Sequence, residues 1–402
     1  MKALRNFLNK IKPHFETGGK LSTFRSVFEG FESFLFVPHE TSRSGVHIHD
    51  SIDSKRIMTI VIVALMPALL FGMYNTGYQH YLAIGAAETW WMTFLYGLLA
   101  VLPKIIVSYV VGLGIEFIAA QIKKEEIQEG FLVSGMLIPM IVPVDTPLWM
   151  IAVATAFAVI FAKEVFGGTG YNIFNVALVT RAFLFFAYPA AMSGDKVFVR
   201  TADTFGLGAG TVVDGFSGAT PLGQIATASK DMIGSFPVTD VLNQPLSTAD
   251  MIVGLIPGSI GETSVIAILL GAAILLYTGV ASWKTMLSVF VGGAAAVLGF
   301  NLLGTTVAMS ISPLEHLALG GFAFGAVFMA TDPVTSARTE TGKYLYGLLV
   351  GAMAIVIRVL NPGYPEGMML AILLMNTFAP LIDYYVVDGN VKRRLKRIAV
   401  KK

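Results

Sequence analysis

The chain contains no cysteine, which removes disulfides, thiolate metal sites and iron–sulfur ligation by this polypeptide. Charge is scarce as well. Only 13% of the 402 residues are Asp, Glu, Lys or Arg, against roughly a quarter in ordinary soluble domains. The formal net charge of +2 gives no basic face on which to expect a nucleic-acid partner. The polar, basic first 50 residues lack an apolar core ahead of a small-residue cleavage site, so no cleavable signal peptide is expected. What is abundant is apolar sequence, 55% of the chain, gathered into runs of about 20 residues that can each cross a hydrocarbon core of about 30 Å. The composition implies an all-α integral membrane protein with lipid as its solvent.

About ten transmembrane helices are expected, at 57–74, 90–118, 130–145, 147–166, 174–192, 263–281, 283–303, 315–331, 343–360 and 367–387. Basic residues give an independent check. Lys123, Lys124, Lys163, Lys284, Arg338 and Lys343 fall at every second connection, with Lys55 and Arg56 before the first span and "VKRRLKR" after the last. The alternate stretches 75–89 and 304–316 contain neither Lys nor Arg. The positive-inside bias then places both termini in the cytoplasm and the polar loop 193–262 on the outer face. The chain accordingly divides into a cytoplasmic extension 1–56, five spans in 57–192, the loop 193–262, five spans in 263–387 and a basic tail 388–402.

The two sets of spans show a trace of internal repetition. At a constant offset of 186, Glu129, Gly135 and Pro147 align with Glu315, Gly321 and Pro333. An odd number of spans per half requires the halves to run in opposite directions. Two inverted five-helix repeats are therefore expected, an architecture common among transporters.

In the extension, "FRSVFEGFESFLF" sets Phe24, Phe28, Phe31 and Leu35 at helical spacing, with Arg25, Glu29 and Glu32 elsewhere. This pattern suits an amphipathic helix lying in the membrane interface, packing on the bundle or covering a ligand. His47, His49 and Asp50 in "GVHIHD" read as a solvated loop before the first span, with a metal site as the lesser alternative.

Ionisable residues inside spans cost about 2.5–3.5 kcal/mol each to insert, so they usually face a partner or a cavity. The candidates are Lys104, Glu129, Glu164, Arg181, Asp332, Arg358 and Asp383. Pro103 beside Lys104 is a possible break in that helix, opening a polar niche. Glu129, Glu164, Asp332 and Asp383 all fall at predicted cytoplasmic ends. Oxygen ligands without thiolates suit a hard cation, and such a ring reads either as a cation entrance or as helix caps and interfacial anchors. Phe324 and Phe328, four apart, form either a hydrophobic constriction or ordinary packing. The glycine-rich "KEVFGGTGYN" lacks the phosphate-binding spacing and does not follow a strand. It is either a tight turn or an irregular backbone offering amides and Asn172 to a polar ring.

"FAKEVFGGTGYN", "RAFLFFAYPA", "DGFSGAT", "IPGSIGE", "GGFAFGAVFMATDP" and "NPGYPEGMMLAILLMN" together resemble the B subunits of Na+-translocating NADH:quinone oxidoreductases. The D subunits of Rnf ferredoxin:NAD+ oxidoreductases are the paralogues of that group. The resemblance runs from the first span to the basic C-terminus. The long extension favours the quinone-reducing branch, and a redox-inactive channel or transporter is the rival from another class. The resemblance implies FMN, joined through its phosphate to the last threonine of D-G-x-[ST]-G-A-T by a flavin transferase. Here the motif is Asp214, Gly215, Phe216, Ser217, Gly218, Ala219 and Thr220. It further implies a non-covalent riboflavin, with Gly167, Gly168, Asn172 and Asn175 as candidates. Ubiquinone is the implied electron acceptor, with Phe24, Phe28 and Glu129 as candidate walls. The implied Na+ path passes Asp332, Asp383, Glu129, Phe324 and Phe328. Val176 departs from the pattern, which leads one to expect a proline after Asn175. The implied partners are five further subunits (A, C, D, E and F), within a bacterial inner membrane.

Overall fold

Uninterrupted apolar sequence becomes uninterrupted helix, and the helices stop where proline, glycine or a capping side chain stops them. The computed structural model describes residues 2–15, 54–123, 130–194, 197–234 and 238–399, together with 19, 21, 28, 32, 36 and 45. After α1 (Lys2–Ile11) come α2 (Ser54–Ala83), α3 (Trp90–Lys123), α4 (Phe131–Met140), α5 (Leu148–Ala158) and α6 (Val176–Ala187). A π turn at Val159–Lys163 and a 3-10 turn at Glu164–Phe166 prolong α5. The loop 193–262 holds the short α7 (Pro221–Thr227) and α8 (Thr248–Val253). Then follow α9 (Val265–Tyr277), α10 (Trp283–Asn301), α11 (Pro313–Ala318) and α12 (Phe322–Phe324), which continues as a π turn over Gly325–Met329. The last two are α13 (Glu340–Leu360) and α14 (Met368–Ala399). Extended pairing among the described residues is limited to isolated bridges, Thr204 with Leu207 and Thr239 with Pro245.

Six helices are long and apolar enough to cross a membrane: Ser54–Ala83, Trp90–Lys123, Leu148–Phe166, Trp283–Asn301, Glu340–Leu360 and Met368–Ile398. Phe131–Met140, Val176–Ala187 and Val265–Tyr277 are apolar but shorter. Exposed Val110, Ile122, Leu269, Leu287 and Leu298 give the bundle an apolar outer surface, as lipid contact requires. The chain is thus a mostly helical integral membrane protein. Two expected spans differ from the sequence reading. The 130–145 segment ends as helix at Met140, after Pro139 in its last turn. The 315–331 segment breaks at Leu319–Gly321, where Gly320 and Gly321 take φ of +61° and +66°, values that only glycine adopts readily. Pro103, by contrast, does not break α3, which runs through it. Lys104 reaches back to the Ala100 carbonyl at 3.0 Å, in the turn that a proline loosens.

Packing follows a regular plan. In the first half α3 packs on α2, α4 and α5, while α4 also meets α2 and α6, and α5 meets α6. In the second half α10 packs on α11 and α13, α9 on α12, α13 on α14, and the π turn after α12 on α14. The halves meet through α2 against α9 and α6 against α14. Close approach depends on small residues: a Cβ at Gly292 would lie 2.2 Å from the Leu348 carbonyl oxygen, and one at Gly351 2.0 Å from that of Val289. These glycines let the backbones of α10 and α13 touch. The loop 193–262 sits on this frame through its own apolar cluster, in which Leu222, Ile225, Val238, Met251 and Ile256 bury against Val307, Ile311 and Leu319.

Candidate functional site

Two cavities lie at opposite ends of α12 and its π turn. The first opens beside Thr220. This residue is the N-cap of α7: it is extended at φ −64°, ψ 152°, and its hydroxyl oxygen accepts the Gly223 N–H at 3.1 Å. Pro221 follows at the first helical position, where a missing N–H is harmless. The preceding motif is pinned at several points. Gly215 takes φ +80°, and its carbonyl accepts Asn243 Nδ2 at 2.6 Å. Ser217 donates its N–H to the Val241 carbonyl at 3.3 Å. Gly218 is buried while Asp214 is exposed. Gln224 ties the region together, donating to the Ala219 carbonyl at 3.2 Å and the Thr239 carbonyl at 2.9 Å, and accepting the Thr239 N–H at 2.8 Å. The motif therefore presents Thr220 from a fixed backbone.

The cleft at Thr220 spans about 360 Å³ including its mouth, and Leu222, Ser259, Glu262, Thr263, Gly321 and Glu366 contribute to its walls. Its 256–263 wall is anchored by Asn75 to the Ile256 carbonyl at 2.9 Å, Arg181 to the Ser259 hydroxyl at 3.1 Å, and the Gly261 N–H to the Met140 carbonyl at 2.8 Å. Burial pushes the Glu262 carboxyl up to about 7, against the lowering pull of Arg181. Arg358 is buried behind the cleft. It donates to the carbonyls of His316, Leu319, Gly320 and Glu366. Irregular backbone at membrane depth needs such partners, and Arg358 supplies them to the break between α11 and α12.

The second cavity, about 830 Å³ including its mouth, lies at the far end of the same π turn. Apolar Ile57, Val61, Val133, Leu137 and Phe328 line it alongside Ser134, Lys163, Asn172, Asn175, Thr331 and Asp332. Asn175 joins two roles. Its Oδ1 caps α6 by accepting the N–H groups of Ala177 and Leu178 at 3.0 and 3.3 Å. Its Nδ2 donates to Asp332 Oδ2 at 3.1 Å. Asp332 also accepts the Val334 N–H and the Thr335 hydroxyl, both at 3.0 Å. Val176 is the first residue of α6, a position whose N–H has no intrahelical acceptor and where proline fits.

The predicted residues divide between these places. Asn172, Asn175, Asp332 and Phe328 share the second cavity, whereas Gly167 and Gly168 lie in the adjoining turn at φ +116° and +94°, outside its lining. Phe324 and Phe328 are buried between the cavities with ring centroids 5.0 Å apart. Asp383 stands apart: it accepts the Arg338 and Thr339 N–H groups at 2.7 and 3.0 Å and the Thr339 hydroxyl at 2.6 Å, at the start of α13. Phe28 is buried and stacked on Phe15 at 4.8 Å. Phe24 and Glu129, like His47, His49 and Asp50, lie outside the described residues. Glu164 pairs with Lys123 at 2.8 Å.

Sequence reasoning missed three features. Lys163, taken as a marker of a cytoplasmic connection, is buried against Glu116; the signal was Glu116 itself, an acid in an apolar run. Glu262 and Thr263 join Thr220 only through the fold, although "IPGSIGE" was visible. Arg358 was flagged only as one of the ionisable residues within predicted spans, and its carbonyl partners were not readable.

The NQR2, RnfD, RnfE family matches residues 41–392. Among curated proteins the chain is similar to the B subunit of the Na(+)-translocating NADH-quinone reductase of Chromohalobacter salexigens, at 43% identity over 98% of this chain and 97% of the relative. The protein of the same name from Pseudomonas paraeruginosa is 43% identical over 98% of this chain and 99% of its own length. That of Klebsiella pneumoniae is 42% identical over the same shares.

Proposed function

Since the chain belongs to the NQR2, RnfD, RnfE family, we propose that it is the membrane-embedded B subunit of a sodium-translocating NADH–quinone reductase. Similarity at 43% identity along nearly the whole length of proteins of that name supports this reading over the Rnf branch and over a redox-inactive channel. In it, FMN is carried as a phosphoester on Thr220 by the action of a flavin transferase, on the outer side of a bacterial inner membrane. The observation that carries this is the placement of Thr220. An intact D-G-x-[ST]-G-A-T motif, braced at each end, holds a hydroxyl at the mouth of a cleft rather than in the core. Bound there, the isoalloxazine supplies electron transfer, and the tether raises its local concentration beside a neighbouring redox protein of the complex.

The second cavity fits a non-covalent riboflavin. Its lining combines apolar side chains with polar ones, as the faces and edge of such a ring require. Lys163, Asn172 and Asn175 would hold a ring edge, and Val133, Leu137 and Phe328 its faces. Asp332 shares that cavity, so a cation held by it would sense the charge of the ring. This gives sodium passage a route to depend on redox state. Glu129 and Phe24, with Phe28, remain the proposed quinone walls, and Asp383 a second acid on the cation path.

Opposite directions of travel support the inverted repeat. α4 follows Gly130 beside the second cavity and ends at Met140, bonded to Gly261 beside the cleft. α12 and its π turn run from Gly321 at the cleft to Asp332 at the second cavity. The packing of α3 with α4 and α5 likewise has its counterpart in α10 with α11 and α13.

The test is flavin fluorescence of the chain on a denaturing gel, from a host containing the transferase. Wild type should fluoresce and Thr220→Ala should be dark. A bright Thr220→Ala band would move the attachment elsewhere, and a purified complex that reduces no quinone would defeat the assignment to this enzyme.

A further inference from the structure

The last helix outruns the bundle. α14 is continuous from Met368 to Ala399, and its Asp383 is bonded to the head of α13. There Glu340 pairs with Lys284 and with Lys343, a charged cluster at the end of the Glu340–Leu360 span that marks the membrane boundary. Beyond it α14 stands free: Val391 to Ile398 are exposed without exception. A helix wetted on every side is ordinarily polar all round. Yet Tyr384, Val387, Val391, Leu395 and Ile398 are large, hydrophobic and exposed. Their spacing of three and four residues gathers them into one stripe, about 80° wide and about 21 Å long. Lys392 and Arg394 flank the stripe on its two sides, with Arg393 on the back. From 384 to 398 there are five basic residues and one acid, Asp388, which pairs with Lys392 at 2.6 Å.

Geometry and charge decide what covers that stripe. Lipid reaches only its base. Along the axis Val391 lies about 12 Å and Ile398 about 22 Å beyond Asp383, whereas the headgroup layer is about 5–7 Å deep. Even a tilt of about 40° leaves both past it. A second copy of the helix would set Lys392 and Arg394 against like charges, which disfavours pairing. A protein groove with an apolar floor and an acidic rim meets both the stripe and its flanks. The geometry points to the free half of α14, 384–398, as a docking helix for such a groove on another subunit of the complex. This rests on the reading of the chain as one subunit of several, and gives that reading a contact surface. The stripe fills the groove at positions i, i+3, i+7 and i+11, and the basic flanks fix orientation. Being the continuation of a membrane span, the helix arrives already formed, so docking orders little new backbone. Gly389 is the point at which the rod can bend toward lipid instead. A Cβ there meets nothing within 4 Å, so Gly389→Ala stiffens the rod without a clash.

A photo-crosslinking amino acid at Leu395, in the full chain within its native membrane, tests the docking helix without reference to turnover. Illumination should join the chain to one polypeptide that co-purifies with it in fixed ratio. Mass spectrometry should place the adduct in a peptide with more acidic than basic residues. The same probe at Arg393, on the opposite face, should give about a tenth of that yield or less. Reversing both flanks, Lys392→Glu with Arg394→Glu, should cut the Leu395 adduct about fivefold or more, and Gly389→Ala should leave it at least as strong. All four positions lie on the free part of the helix, so none disturbs the packed frame. Adducts confined to lipid or to the chain's own extension would overturn the proposal, as would a yield that ignores the charge reversal. A complex that gives the expected adduct but reduces no quinone would defeat the enzyme assignment and leave the docking surface standing.

Discussion

Asp332 and Glu262 each put a carboxyl group into a cavity at one end of α12 and its π turn, and the two are treated differently by their neighbours. Asp332 is met by three donors, from Asn175, Val334 and Thr335. Glu262 keeps one oxygen unpaired beside an unpaired threonine hydroxyl. A carboxylate already bonded by the protein is pre-formed, and anything binding it must compete with those donors. A carboxyl group left short of partners keeps hydrogen-bonding capacity that an outside group can use. The two carboxyl groups therefore differ in how much of their hydrogen-bonding capacity the protein itself uses.

The most forceful way to break this comparison is to remove the device that shapes the Glu262 end alone. Arg358→Met leaves the carbonyls of His316, Leu319, Gly320 and Glu366 without their donor, at about 1–3 kcal/mol for each one that finds no substitute. The expected result is a loss of about 3 kcal/mol or more, seen as a collapse in the yield of assembled complex or a large fall in its Tm. Arg358→Lys keeps the charge but not the fork of donors, and should fall in between. An Arg358→Met complex that melts like wild type would mean that the Leu319–Gly321 break holds itself.

A smaller change probes the Asp332 end. Asn175→Ser keeps a good N-cap for α6 but is too short to donate to Asp332. With one donor gone, Asp332 Oδ2 is a freer ligand, and the apparent KM for Na+ in quinone reduction should fall about threefold, with Thr220 fluorescence unchanged. Asn175→Ala removes the cap as well and should cost about 1 kcal/mol more in stability. A sodium dependence identical in wild type and Asn175→Ser would detach Asp332 from the cation path.

The long helices were legible because each needs only a continuous apolar run, whereas the 315–331 span was expected to run through the paired glycines that interrupt it at Leu319–Gly321. The early end of α4 was not, because hydropathy is continuous through Met140; Pro139 and the Gly261 contact decide it together. The D-G-x-[ST]-G-A-T string ending at Thr220 was legible as a local pattern. Its cleft was not, since Glu262 and Thr263 lie more than 40 positions away and reach Thr220 only when 256–263 folds back on α2, α4 and α6. Asp383 was left in sequence as either part of a cation entrance or a helix cap; in the fold it accepts three donors at the head of α13, as many as Asp332 accepts in its cavity. Lys163 counted as a surface cation because sequence cannot see Glu116 across 47 positions.

The smallest expected effect concerns Val176, where the resemblance led one to expect a proline. It is the first residue of α6, directly after the Asn175 cap. Its N–H is one of those a helix cannot use, and Asn175 already holds the extended backbone, φ −66° and ψ 124°, that a following proline requires. Val176→Pro should therefore be accepted without a break in α6. The fixed φ removes unfolded-state freedom worth about 0.4–1 kcal/mol, and the lost contacts of a buried valine offset part of that gain. A Tm within about 2 °C of wild type is expected, with Na+ dependence unchanged because the Asn175–Asp332 hydrogen bond is untouched. A large fall in Tm would show that the Val176 side chain, rather than the backbone entry to α6, holds the cavity wall beside Asp332.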